Sequence, residues 1–217
     1  MEMIRELQEK IQTSIKEGRF DHARKLLGKL TKIKGLSWKD QIRISEFYSW
    51  IGDPKFGIKV LGSPLSQSEL DVVSTDELCV QIRLSYMLAF IGAHHLAGRQ
   101  FQNIERSMKR RNIHLETIFP KYFQYVAHYY LAMFEYEKAA LGFEKSIAIH
   151  GPESDISKYA QIGLADCLDG MGETDRAIAI VSKVIEQAKI EERILLAICF
   201  QARGEYLFRS NQMAAAK

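Results

Sequence analysis

The chain has 217 residues, 47% of them hydrophobic and 26% charged, with a formal charge of +3. That composition supplies enough apolar surface for a substantial core and excludes a disordered chain. The weak positive charge lacks the clustered excess of a dedicated nucleic-acid binder, and no run approaches the ~18 uninterrupted apolar residues of a membrane span.

The chain opens on "MEMIRELQEKIQ", which is charged, amphipathic and without the apolar core of a signal peptide. There are only 4 prolines. Apolar residues recur at three- and four-residue intervals rather than alternating, which predicts helices almost throughout. The first predicted helix pair, residues 4–37, has Ile11 midway along its first helix, a turn at Gly18 and Ala23 at the start of its second. The second, 38–70, contains "QIRISEFYSWIG" and the third, 78–113, contains "QIRLSYMLAFIG". Six of the twelve letters match. Ser45, Gly52 and Gly57 in one correspond to Ser85, Gly92 and Ala97 in the other.

The fourth pair, 115–150, carries Ala127, Phe134 and Ala139, and the fifth, 156–190, carries Ala165, Gly172 and Ala177. A partial sixth, 194–217, carries Gly204, Asn211 and Ala216. The second-helix anchors Ala23, Gly57, Ala97, Ala139, Ala177 and Ala216 are spaced by 34, 40, 42, 38 and 39 residues, and each lies twelve residues after the midpoint residue of its first helix. Five of those six midpoint residues are small, so two antiparallel helix backbones can approach closely there. Glycine suits the turn because it reaches positive φ without steric cost. Breakers collect in "GSPLSQSE", 62–69, and "HGPESD", 150–155, which predicts loops. A second helix of the sixth unit would begin near Met213, so the spacing predicts a natural chain that continues past Lys217.

This pattern resembles the tetratricopeptide repeat. In "KYAQIGLADCLDGMGETDRAIAIVSKVIEQ", Leu164, Ala165 and Leu168 match the family's large-small-large triplet, Gly172 its turn, and Ala177, Val181 and Val184 the stripe of its second helix. The fourth copy matches through Val126, Ala127, Tyr130, Ala139 and Phe143 but has Phe134 at the turn. The resemblance covers almost the whole chain. It implies an all-α fold, a single right-handed superhelical solenoid over 1–217 built from antiparallel helix pairs. The implied role is that of a non-catalytic scaffold or adaptor that binds a peptide or helix of another protein in its concave groove. A second expectation is a ligand- or peptide-sensing regulatory segment of a larger multidomain protein, as in bacterial signalling or transcription.

Little in the chain points to chemistry. There is no GxSxG, P-loop or dinucleotide fingerprint. Cys79, Cys167 and Cys199 are scattered without CxxC spacing, which suits reduced thiols in a cytoplasmic protein. His94 and His95 point about 100° apart on a helix, a poor chelate, and are expected in an inter-helix turn. Asp166 and Asp169 share a helix face, where exposed structural charge is commoner than acid–base work. Lys109, Arg110 and Arg111 complement the end of a helix dipole. No catalytic residue, metal or cofactor is expected, and neither nucleic acid nor a membrane is an expected partner.

The family's first helices line its groove. Projected here, that places Gln8, Gln12, Lys39, Arg43, Glu46, Trp50, Cys79, Arg83, Tyr86 and Phe90 on the inner face, followed by Gln124, His128, Tyr159, Asp166, Gln201 and Glu205. Lys39 and Arg43 match part of the clamp that some members use for a C-terminal carboxylate. Gln8, Gln12 and Glu9 stand where its other donors belong, so that use is not expected. Trp50, Tyr86 and Phe90 form an aromatic set suited either to anchoring a partner or to packing within the array. Arg43 and Arg83 are the part of the doubled motif that packing is not expected to explain.

Overall fold

The computed structural model describes residues 2–114, 119–190 and 192–215, with side chains through Asn211 in the last helix. Twelve helices and no strand occur among the described residues. They fall into two compact units, Met1–Ile113 and His114–Lys217. In the first unit, α1 (Glu2–Lys16) pairs with α2 (Phe20–Leu30), α3 (Trp38–Trp50) with α4 (Pro54–Leu61), and α6 (Thr75–Phe90) with α7 (His94–Arg111). A single-turn α5 (Gln67–Leu70) leads into the third pair. The second unit holds α8 (Tyr122–Ala132) with α9 (Tyr136–His150), α10 (Asp155–Gly170) with α11 (Thr174–Gln187), and α12 (Arg193–Ala215).

The same turn closes all five pairs. Gly18, Gly52, Gly92 and Gly172 take φ of 72°, 82°, 86° and 84°. The residue after each donates its backbone N–H five residues back, as in Asp53 to Tyr48 O (2.8 Å) and Ala93 to Leu88 O (2.8 Å). This arrangement satisfies carbonyls that the helix end would otherwise leave bare. Phe134 occupies the glycine position of the fourth turn and adopts φ 59°, and Glu135 still donates to Tyr130 O at 3.0 Å. The turn is therefore kept at the cost of steric strain on a β-carbon.

Beyond each turn the small residues meet. A Cβ added to Gly57 would lie 3.1 Å from Ser45 O and 3.4 Å from Ser45 Cα, and one added to Gly142 would lie 2.9 Å from Ala127 Cβ. Ser45, Ser85, Ala127, Ala165, Ala23, Ala97, Ala139 and Ala177 are all fully buried. Larger residues fill the space around them. In the first unit Ile11, Leu27, Leu30, Ile44 and Phe47 form one core. In the second, Phe143 packs among Ala127, Ala139 and Ala160, while Val181 and Val184 pack with Leu195, Cys199 and Tyr206.

Three expectations change. The 62–69 segment ends in helix, because Ser66 and Glu69 cap α5 reciprocally and bring Leu70 into the core. His94 and His95 form the first turn of α7 rather than the connection before it. No turn forms at Asn211, since α12 runs unbroken from Arg193 to Ala215. "SNQMAAA" has no glycine to take positive φ, and its alanines are strong helix formers. The anchor assigned to Ala216 lies outside the described residues, as does Leu115 at the start of the fourth predicted pair.

Phe134 is three-quarters exposed, so removing its ring forfeits little burial. Phe134→Gly is expected to raise stability by about 1 kcal/mol through relief of the positive φ. Phe134→Ala, which keeps the Cβ, is expected to give no such gain. Urea unfolding of the three proteins checks this.

Candidate partner-binding face

In the first unit, polar side chains tie each first helix to the next. Gln8 Nε2 donates to Asp40 Oδ1 at 2.9 Å, linking α1 to α3. Arg43 donates through Nη2 to Gln12 Oε1 (2.9 Å) and through Nη1 to Glu46 Oε2 (3.2 Å). Glu46 is buried, and Arg43 supplies the cation it needs there. The Arg43 guanidinium also lies 4.8 Å from the Phe47 ring centre and 5.3 Å from that of Trp50. Phe47 and Trp50 meet edge to face at 5.6 Å.

With Gln12 and Glu46 as its partners Arg43 is accounted for by packing, and Arg83 likewise corrects the expectation that packing would leave it unexplained. It is buried, with Nε donating to Ser45 Oγ at 2.9 Å and Nη2 to Ser49 Oγ at 3.2 Å. Its guanidinium stands 5.0 Å from the centre of the Tyr86 ring, and Tyr86 contacts Phe90 at 6.3 Å. The small serine needed for helix approach thus also accepts the arginine of the next pair. Cys79 is fully buried. What remains open is narrower than the projected set. Lys39 is exposed, with Nζ 5.4 Å from the Trp38 ring. Trp50 is 42% exposed and Phe90 58%. The structure brings Arg43 to Trp50 and Arg83 to Tyr86, and it puts both exposed rings at the last residues of α3 and α6.

In the second unit Gln124 is buried, and His128 packs edge-on against Phe143 at 4.9 Å. Burial pushes the His128 imidazole down to about 4. Asp166 accepts from Tyr206 Oη at 2.5 Å, and burial raises its carboxyl above the usual range. Asp169 accepts from Thr174 Oγ1 at 2.9 Å and from Arg209. The two carboxylates therefore hold α12 and the start of α11 to α10. Tyr159 is partly exposed, and Gln201 donates to Glu205 at 3.0 Å. Lys158, buried on α10, is held by both Glu192 oxygens at 2.9 Å. The serine acceptors and the Lys158–Glu192 pair were not singled out from sequence. Their one signal is a separation of about one repeat, 34 to 38 residues.

Burial pushes the thiols of Cys79 and Cys167 up to about 12 and that of Cys199 up to about 11, so all three stay protonated. No group of three or more His, Cys, Asp or Glu converges among the described residues. No helix among them is long and apolar enough to cross a membrane.

Arg83→Glu would bury a carboxylate where a cation now serves two serines, and it is expected to destabilise the first unit by about 3 kcal/mol. Chemical denaturation followed by circular dichroism checks this. His128 is neutral in the fold, whereas the unfolded chain takes up its proton below about pH 6.5. The second unit is therefore expected to lose stability as the pH falls from about 6.5 toward 4, and His128→Gln is expected to flatten that loss. Urea midpoints measured across this range test it.

No family model and no curated protein matches the chain. Among solved structures, a variant of a kinesin light chain-type protein from Podosopora anserina, with nearly identical TPR-like repeats, is 17% identical. The match covers 85% of this chain and 94% of that one, with a TM-score of 0.51. A crystal structure of the MamA protein is 21% identical, covering 85% of this chain and 90% of that one, with a TM-score of 0.46. Together with the repeated turn and small-residue contacts, the first likeness identifies the fold as a divergent, all-α tetratricopeptide-type repeat.

Proposed function

We propose that this chain is a non-catalytic protein-interaction scaffold whose first-helix face, in the first unit, anchors a peptide or helix of another protein. The observation that carries the reading is the exposure of Trp50 and Phe90, one repeat apart on neighbouring first helices. Large rings left in water at fixed positions favour contact with a partner, since covering each adds roughly 1.5–3 kcal/mol. Both rings stand on a rigid support. Arg43 holds Trp50 from one side, and the buried Arg83 carries Tyr86 and through it Phe90. That support limits the entropy lost on binding. The exposed Lys39 adds a positive charge on α3, where Arg43 is already paired with Glu46, and that charge suits a partner segment carrying a carboxylate beside its apolar residues.

The experiment is affinity capture from a lysate of the native source, with quantitative mass spectrometry, on immobilised wild-type chain and on Trp50→Ala/Phe90→Ala. Both residues are exposed, so the variant is expected to keep its helical circular dichroism. Recovery of the specific partner is expected to fall about tenfold or more. Equal recovery on a folded variant overturns the assignment.

A further inference from the structure

Two stretches of the first unit carry cations and no carboxylate. Residues 22–39 hold Arg24, Lys25, Lys29, Lys32, Lys34 and Lys39, and residues 54–68 hold Lys55 and Lys59. The fold sets the helices of these stretches, α2 and α4, side by side. Arg24 Nε donates to Asp53 Oδ2 at the start of α4 (2.7 Å), and Val60 of α4 packs on the core that contains Leu26 and Leu30 of α2. Lys25 and Lys29 lie about one turn apart on α2, away from the buried Ala23, Leu27 and Leu30. Lys55 and Lys59 repeat that spacing on α4, away from the buried Gly57 and Leu61. All four lysines are exposed. The carboxylates that flank these stretches at the starts of α2 and α4, Asp21 and Asp53, are both bonded to Arg24. Among the described residues no carboxylate is left to pair the four lysines.

Gly28 and Phe56 lie between the two rows of lysines. Around the axis of α2, Gly28 falls between Lys25 and Arg24, the residue that reaches α4. It is partly exposed within the helix, and a Cβ added to it meets nothing within 4 Å. Glycine weakens a helix relative to alanine, and no neighbour in this fold requires it here. Space kept open at that cost suits the close approach of another backbone. Phe56 is 56% exposed, yet its ring lies nearly parallel on Tyr48, 5.7 Å between centres and 21° between planes. It forms a flat apolar floor instead of projecting into solvent. We propose that an acidic segment of a partner protein docks along this shallow groove between α2 and α4. Its backbone passes Gly28, an apolar side chain rests on Phe56, and its carboxylates lie among Lys25, Lys29, Lys55 and Lys59. Charge complementarity selects this occupant. A nucleic-acid strand wants several rings for its bases and free guanidinium forks, whereas the groove has one ring and its arginine is engaged by two aspartates. A membrane surface wants apolar side chains that stand above the lysines, and Phe56 lies flat. The groove belongs to second helices and stands independently of the Trp50 and Phe90 reading.

Fluorescence anisotropy tests it with a labelled peptide of glutamates around one central phenylalanine. The full chain is expected to bind this peptide, with affinity falling about tenfold or more as salt rises from about 0.05 to 0.3 M. Lys25→Glu/Lys59→Glu is expected to weaken binding about tenfold or more with helical circular dichroism unchanged. The same charge change on α7, Arg106→Glu/Lys109→Glu, is expected to cost far less. Gly28→Ala is expected to raise the urea midpoint and yet weaken the peptide about threefold or more. A chain that does not bind the peptide overturns the proposal. So does tighter binding of oligothymidylate or of phosphatidylserine vesicles, which assigns the lysines to a polynucleotide or a lipid surface. Equal losses in the two charge-reversed variants reduce the attraction to net charge and overturn the groove, as does a Gly28→Ala chain that binds like the wild type.

Discussion

Two helix axes can come close only where neither helix carries a large side chain at the crossing, and the rest of this fold depends on that condition. Ser45 under Gly57 and Ala127 under Gly142 bring backbone and β-carbons to van der Waals range. That closeness demands a connection of very few residues, which in turn demands a backbone with positive φ. Four glycines meet this demand freely, and Phe134 meets it under strain. The larger apolar residues then fill the flanks of the crossing, so the core follows from the notch rather than the reverse.

The small residues have a second use. A hydroxyl fits the notch almost as well as a methyl, and Ser45 offers its oxygen to Arg83 of the next pair while donating its own proton to Ile42 O at 2.6 Å. The contact within one pair and the contact between pairs thus share a residue. Similar polar links recur along the first helices, from Gln8 and Asp40 in the first unit to Tyr206 and Asp166 in the second. Buried polar groups cost free energy when unmatched, so these links fix register between repeats as well as adding stability.

The turn glycines, the small midpoint residues and the helix pairs were legible in the sequence because each obeys a local steric rule. The five-residue step from turn to anchor held wherever a glycine, or the strained Phe134, closed the turn. It misled at Asn211, where the same spacing occurs in an alanine-rich segment with no reason to leave the helix. The candidate face was legible only in part. Trp50 and Phe90 are exposed as a groove reading expects, but the burial of Arg83 depends on two hydroxyls on another helix, and no local pattern announces that. Nor does periodicity along α12 distinguish the apolar side that meets α10 and α11 from the one left in water, because both are apolar.

The three cysteines have a practical consequence. Each thiol is enclosed and kept protonated, with Cys79 in the first unit and Cys167 and Cys199 in the second. A thiol-reactive probe can modify any of them only during an excursion that lets solvent in. The chain therefore carries its own clock for local opening. Alkylation at Cys79 times the breathing of one unit and alkylation at the other two times that of its neighbour, both in the native sequence and without an added label.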